Sequence, residues 1–180
     1  MEYLGTQSPA SSSPVKIVVR PTTQSDLDFV LVAEYAAENA SYIFQWSDEK
    51  HITAFSDSDV AHLMVVSATD QRPVGYAILT GLQNPHYSVE LMRYVITEKG
   101  QGFGKAALEA IKTLAFEKWQ FNRLWLDVID HNLRAQGLYK AVGFQREGVL
   151  REAYLKDGQY LTIVIMSILR SEYLSGKSEL

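Results

Sequence analysis

The stretch 88–129 constrains the fold more than any other part of the chain. "SVELMRYVIT", 88–97, alternates as a strand does, and "EKGQGFG" then places Gly100, Gly102 and Gly104 within five positions. Leu108, Ile111, Ala115 and Trp119 follow at spacings of 3, 4 and 4, a helix stripe. "RLWLDVI", 123–129, is a buried strand by its length and branching. The chain therefore turns from a strand into a helix through backbone stripped of side chains. One reading is a plain turn that needs positive φ. The other is a ligand that approaches the main chain. The first N–H groups of a helix lack intrahelical partners, the positive end of its dipole points outward, and glycine leaves no Cβ in the way. Together these make a phosphate cradle.

The flanking segments give the rest of the order. "VKIVVR", 15–20, reads as a strand stopped by Pro21. Thr23-x-x-Asp26 reads as a capping box, with Leu27, Val30, Leu31 and Tyr35 at helical spacing behind it. Ser47 is an N-cap with Asp48 and Glu49 in the first turn of a second helix ending near Phe55. "HLMVVSAT" and "VGYAILTGL" flank the turn signal "DQRP" as a hairpin. In "NLRAQGLYKAVGF", 132–144, Ala135, Leu138 and Val142 share a helical face, and Gly143 closes it in the left-handed position. A long strand, the turn "KDG" and "QYLTIVIMSIL" close the chain as a hairpin. The order β-α-α-β-β-β-α-β-α-β-β mixes hairpins with two strand–helix–strand passages. It predicts an α/β (α+β) fold with a mixed, mostly antiparallel sheet of about seven strands flanked by about four helices.

Composition sets the outer limits. At 180 residues, 47% hydrophobic and 21% charged, the chain is one ordinary domain. A flexible Ser- and Pro-bearing leader is expected over 1–14, the domain over 15–172 and a tail over 173–180. A net charge of −4 argues against nucleic acid as partner. No run reaches the ~20 apolar residues of a membrane span. The chain has no cysteine, which excludes disulfides, thiolate metal sites and a Cys nucleophile and fits a cytoplasmic protein. His51, His62 and His86 lack metal-ligand spacing and read as surface or structural residues, so no metal is expected.

Two familiar phosphate motifs fail here. A P-loop needs four residues between its first Gly and Gly-Lys, then Ser or Thr; three separate Gly100 from Gly104, and Ala106 follows Lys105. The dinucleotide fingerprint needs a sixth-position glycine where Lys105 stands. "Lys99-Gly-Gln-Gly102-Phe-Gly104" instead resembles the Gln/Arg-x-x-Gly-x-Gly loop of the Gcn5-related N-acetyltransferases, with Lys in the first place. "Asn132-x-x-Ala135-x-x-x-Tyr139-x-x-x-Gly143-Phe144" resembles that family's second acetyl-CoA segment, in the family's order and with a strand between.

The resemblance implies acetyl-CoA as co-substrate, bound where the strands 88–97 and 123–129 splay apart. Main-chain groups of Tyr94, Val95 and Ile96 would pair with the pantetheine arm. Lys99, Gly100, Gln101, Gly102, Phe103, Gly104 and Lys105 would hold the pyrophosphate, and Asn132 the arm, although N-capping alone also explains Asn132. Tyr139 matches the family's thiol-protonating tyrosine. Glu90 and Asp127 are the carboxylates for the amine proton, with Arg93 a ready partner for either. His131 could neighbour the thioester. Tyr42, Phe44 and Trp46 lie where relatives wall the acceptor pocket, and Tyr154 and Tyr160 could share that wall. The implied reaction moves an acetyl group to a primary amine, a small amine or amino acid ahead of a protein N-terminus. A non-catalytic acyl-CoA-binding module is the rival, and a homodimer is compatible with the family.

Overall fold

The computed structural model describes residues 17–178; the leader expected over 1–14, and residues 179 and 180 of the expected tail, lie outside these. Seven strands form one sheet: β1 Ile17–Pro21, β2 Val60–Ser67, β3 Pro73–Thr80, β4 Ser88–Ile96, β5 Arg123–Ile129, β6 Gln145–Lys156 and β7 Gln159–Leu169. Their spatial order is β1-β2-β3-β4-β5-β7-β6. Each neighbouring pair is antiparallel except β4 and β5, which are parallel. Two hairpin-built halves thus meet at one parallel seam, because β4 reaches β5 through a crossover helix rather than a turn.

The helices are α1 Leu27–Tyr35, α2 Ala37–Ala40, α3 Asp48–Ala54, α4 Phe103–Thr113, α5 Leu133–Ala141 and α6 Arg170–Ser178. On one face Val30 and Ala33 of α1 pack on Met64, Tyr76, Ile78 and Val95. On the other, Leu108 and Ile111 of α4 pack with Leu79, Val89, Leu91, Leu124 and Leu126. The stripe of α4 runs on as one wide turn, Leu114–Lys118, that buries Ala115 and Phe116. Among the described residues no helix is long and apolar enough to cross a membrane.

Three expectations change. About four helices were anticipated; α2 and α6 are additional. Residues 173–178 are helix instead of tail, because Tyr173 buries its ring 5.1 Å from that of Phe116 and closes the end of the core. The buried face of α1 is Leu27, Val30, Ala33 and Glu34, and Tyr35 is 65% exposed. The face is rotated because a carboxylate, not the tyrosine, faces the sheet.

The seam is short. Ser88, Val89 and Glu90 pair with Arg123, Leu124 and Trp125, and the β4–β5 register ends there. Ile78 pairs with Arg93 and Leu79 with Leu91, so Met92 is an extra residue in β4. A bulge bends its strand and reverses the alternation of side chains. Leu91 accordingly faces the α4 side while Val95 faces α1. Beyond the bulge β4 follows β3 and leaves β5, which stays paired with β7 along its whole length.

A buried polar chain runs through the α1-side core. Thr22 Oγ1 lies 2.8 Å from His62 Nδ1, His62 Nε2 lies 3.0 Å from His51 Nδ1, and His51 Nε2 is 3.5 Å from Glu34 Oε1. One donor order suits the chain: Thr22 gives its hydroxyl proton to His62, His62 gives Nε2–H to His51, and His51 turns its own N–H toward the carboxylate without closing a hydrogen bond. Burial, reinforced by His51 and by the Arg93 charge, lowers His62 from 6.5 to about 3. The unfolded chain therefore takes up this proton first as pH falls. Stability should drop between pH 6.5 and 3 with a slope of about 1.4 kcal/mol per pH unit from this residue. Urea unfolding across that range should show the slope reduced by about one proton in His62→Gln.

Candidate active site

Where β4 and β5 part, a cavity of about 850 Å³ opens. Gly100, Gly102, Gly104, Asn132 and Tyr139 line it on the side of α4 and α5. Tyr42, Phe44 and Trp46, from the loop between α2 and α3, line it with Glu90, Asp127 and Tyr154. Tyr94, Val95, Ile96 and Lys99 also border it. The parting thus brings together the cofactor, catalytic and acceptor candidates named from sequence, except Gln101, Phe103, Lys105, His131 and Tyr160. Gln101 and Lys105 are exposed outside the lining. Phe103 packs its ring into the core with Val65, Val74 and Ala107, so only its main chain is available to a ligand. Val95 likewise buries its side chain under α1.

The three glycines are there for different reasons. Gly100 and Gly102 have φ of +80° and +84°, which glycine adopts without strain. A Cβ on Gly100 would meet nothing within 4 Å, so space above the loop is open. Gly104 would place a Cβ 3.2 Å from Leu138 Cδ2, so it serves the close approach of α4 to α5. The Tyr94 hydroxyl donates to the Gly104 carbonyl at 2.6 Å and fixes α4 to the strand. The first turn of α4 holds no acidic residue, which leaves the positive end of its dipole uncompensated. Arg134, which the sequence reading did not single out, borders the same region from α5. This donor set fits an anionic diphosphate. Lys99 reaches across the mouth, 2.9 Å from Asn39 Oδ1 and 3.0 Å from Glu38 Oε1, so its ammonium ties the loop to α2.

Asn132 caps α5, its Oδ1 accepting from the Ala135 amide at 3.2 Å, while also lining the cavity. Tyr139 is buried on the same helix, 6.5 Å ring to ring from Tyr94. Burial, then the Asp127 charge, pushes its hydroxyl well above the ordinary phenol value, so the proton stays on. Among the described residues that hydroxyl has no hydrogen-bond partner. Glu90 accepts from Thr80 Oγ1 at 3.2 Å. Burial, and less strongly the Asp127 charge, raises its carboxyl in spite of that bond. Asp127 accepts from the Tyr154 hydroxyl at 2.6 Å.

Arg93 pairs with neither carboxylate. It binds Glu34 on α1 and donates to the Phe44 carbonyl at 2.6 Å. The partner lies 59 residues away, a separation that strand spacing cannot reveal. His131 is exposed against the Tyr42 ring, 5.8 Å between centroids, and Tyr160 is 67% exposed; neither lines the cavity. Glu34 was missed altogether. Its signal was a carboxylate at the fourth position after Val30, on the face that the apolar residues of α1 bury.

Residues 31–144 match the model of the acetyltransferase (GNAT) family. The chain belongs to this family. Among GNAT relatives it is 29% identical to a spermidine N(1)-acetyltransferase of Vibrio cholerae over 112 residues, 62% of this chain but only 65% of that protein. It is 24% identical to the Escherichia coli spermidine N(1)-acetyltransferase over 88% of this chain and 89% of the relative. The same identity relates it to the Escherichia coli [ribosomal protein uS5]-alanine N-acetyltransferase, over 84% and 88%. A solved structure of the Vibrio cholerae spermidine N-acetyltransferase in complex with CoA and spermine shares the GNAT fold. Its TM-score is 0.79 at 24% identity, over 88% of this chain and 98% of that one.

The packing role of Gly104 is testable without ligand. Gly104→Val should destabilise the protein by about 1–3 kcal/mol through overpacking on Leu138. In Leu138→Ala the same substitution should cost much less. Denaturant midpoints of the four proteins in the cycle check it.

Proposed function

We propose that this GNAT chain transfers the acetyl group of acetyl-CoA to a primary amine, both substrates being bound together. The observation that carries the reading is the parting of β4 from β5 after Glu90 and Trp125, which opens unpaired strand backbone into the cavity that Tyr139 lines. Unpaired β4 groups offer an extended amide arm the ladder bonds that β5 does not take. The open loop at Gly100–Gly102 and the start of α4 receive the diphosphate. The co-substrate supplies an acetyl group activated as a thioester.

Glu90 and Asp127 face the incoming amine from the two strands. The amine nitrogen forms its bond to the acetyl carbon as the carbon–sulfur bond breaks. Its excess proton passes to Glu90, directly or through water, and the departing sulfur takes the proton held by Tyr139. The products are an amide and the free thiol of CoA. Glu90 suits the base role because burial moves its carboxyl toward neutrality, where a base is most effective. Asp127 spends one acceptor site on Tyr154. Tyr42, Phe44 and Trp46 form the acceptor wall.

A binding module without catalysis would have no use for a hydroxyl without a structural partner on a buried residue that lines the cavity, so the catalytic reading is preferred. Free-thiol release should be measured against a panel of polyamines, amino acids and N-terminal peptides. At least one amine should support turnover. Tyr139→Phe should lower kcat about 10²–10⁴-fold while acetyl-CoA still binds by calorimetry. Unchanged turnover in that variant would remove Tyr139 from the acid role.

Gly102→Val is a separate check on the cradle. The bulky residue at φ +84° should weaken acetyl-CoA binding by about tenfold or more, with the far-UV spectrum little changed. Calorimetry giving wild-type affinity would refute the loop assignment.

A further inference from the structure

The loop 41–46 has no regular structure, yet it is gripped from two sides. On the inner side Glu34, fully buried, accepts from the Trp46 amide at 3.0 Å and from the Tyr76 hydroxyl at 2.6 Å. The same carboxylate binds Arg93, whose other nitrogen donates to the Phe44 carbonyl at 2.6 Å. The Arg93 guanidinium also stands 5.1 Å from the centre of the Trp46 ring. On the outer side Lys156, at the end of β6, donates to the Ile43 carbonyl at 2.8 Å. Its ammonium lies 5.3 Å from the centre of the Phe44 ring, and Tyr154 meets that ring edge-on at 5.4 Å.

Neither Glu34 nor Lys156 borders the cavity, whereas Ile43, Phe44 and Trp46, whose main-chain groups and rings they hold, all do. A loop of this kind moves unless something over-determines it. Here Glu34, Arg93 and Lys156, which lie 12, 49 and 113 residues from Trp46, Phe44 and Ile43 respectively, converge on the short span 43–46. At the loop itself Glu34 and Lys156 both hold backbone groups, the Trp46 amide and the Ile43 carbonyl, so they fix where the aromatic rings stand rather than what the rings are.

We propose that Glu34 and Lys156 are positioning residues that set acceptor selectivity by clamping the loop 41–46 over the acceptor end of the cavity. Glu34 works from within through Arg93 and the Trp46 amide. Lys156 works from the terminal hairpin. The clamp holds Phe44 and Trp46 at a fixed height above Glu90 and Asp127, so the room for an amine is decided by residues that never touch it. The proposal rests on the acetyl-transfer reading for its assignment of that end to the acceptor.

The signature is a split in steady-state constants, measured with the best amine of the thiol-release panel. Lys156→Met keeps the stem and removes the donor. Glu34→Gln keeps the shape and removes the charge. Each should raise KM for the amine about tenfold or more while KM for acetyl-CoA stays within about twofold. Each should also narrow the ratio of kcat/KM between that amine and homologues longer by several methylenes, because a released wall no longer rejects them. Lys156→Arg, which can still donate to the Ile43 carbonyl, should restore most of the affinity. Should Glu34→Gln fail to fold, Lys156→Met, on the surface hairpin, carries the test alone. Unchanged KM for the amine in a folded Lys156→Met protein overturns the proposal. So does a fall in kcat with both KM values unchanged, the mark of a merely structural role. Wild-type protein that releases no thiol with any amine overturns the acetyl-transfer reading itself and this proposal with it.

Discussion

Everything in this protein turns on the place where β4 stops pairing with β5. A sheet of seven strands normally closes each ladder, because unpaired backbone amides in the interior are costly. Here three residue pairs join the strands and then the extra residue at Met92 bends β4 toward β3. The open amides face a cavity instead of protein. On one side of that gap stand the start of α4 and one face of α5; on the other, two carboxylates and an aromatic loop.

The two faces of the sheet are specialised accordingly. The α4 face is almost wholly apolar and carries most of the packing. The α1 face admits Thr22, His62, His51, Glu34, Tyr76 and Arg93 into its interior. Burial by itself would raise the Glu34 carboxyl, but the His51 imidazole, the Arg93 charge, the Tyr76 hydroxyl and the Trp46 amide together hold it down to about 2. Such a network constrains its members to few arrangements, since leaving one unpaired in a low-dielectric interior is expensive. It therefore specifies the position of α1, α3 and the loop between α2 and α3 more sharply than apolar contact would. The residues 42–46 that line the cavity inherit that precision.

Much of the fold was legible because it is encoded over short spans. β5 and the start of α3 fall on the predicted residues, and Ser47 caps α3 by accepting from the Lys50 amide. The paired turns and strands of 60–96 were visible through alternation and turn residues. The glycine loop was legible as a strand-to-helix junction, but its spacing did not separate the positions needing positive φ, Gly100 and Gly102, from Gly104, whose missing side chain admits Leu138. That difference depends on α5, which lies thirty residues further on. α6 was hidden because "RSEYLSGKS" carries too few apolar residues for a stripe, and one buried ring, Tyr173, anchors it.

By its own sequence this chain determined the order of its strands and of α1, α3, α4 and α5, the bare junction before α4 and the presence of Tyr139, Glu90 and Asp127, since each is a matter of local spacing or residue type. Only the tertiary structure decided that Arg93 would turn to Glu34 rather than to its strand neighbours, that His51 and His62 would join in a buried chain, and that Lys156 would grip a carbonyl 113 residues away in sequence. Those pairings join residues with no periodic relation. They form because the sheet order brings β6 beside the loop after α2, and because a buried charge must take whichever partner packing sets within reach.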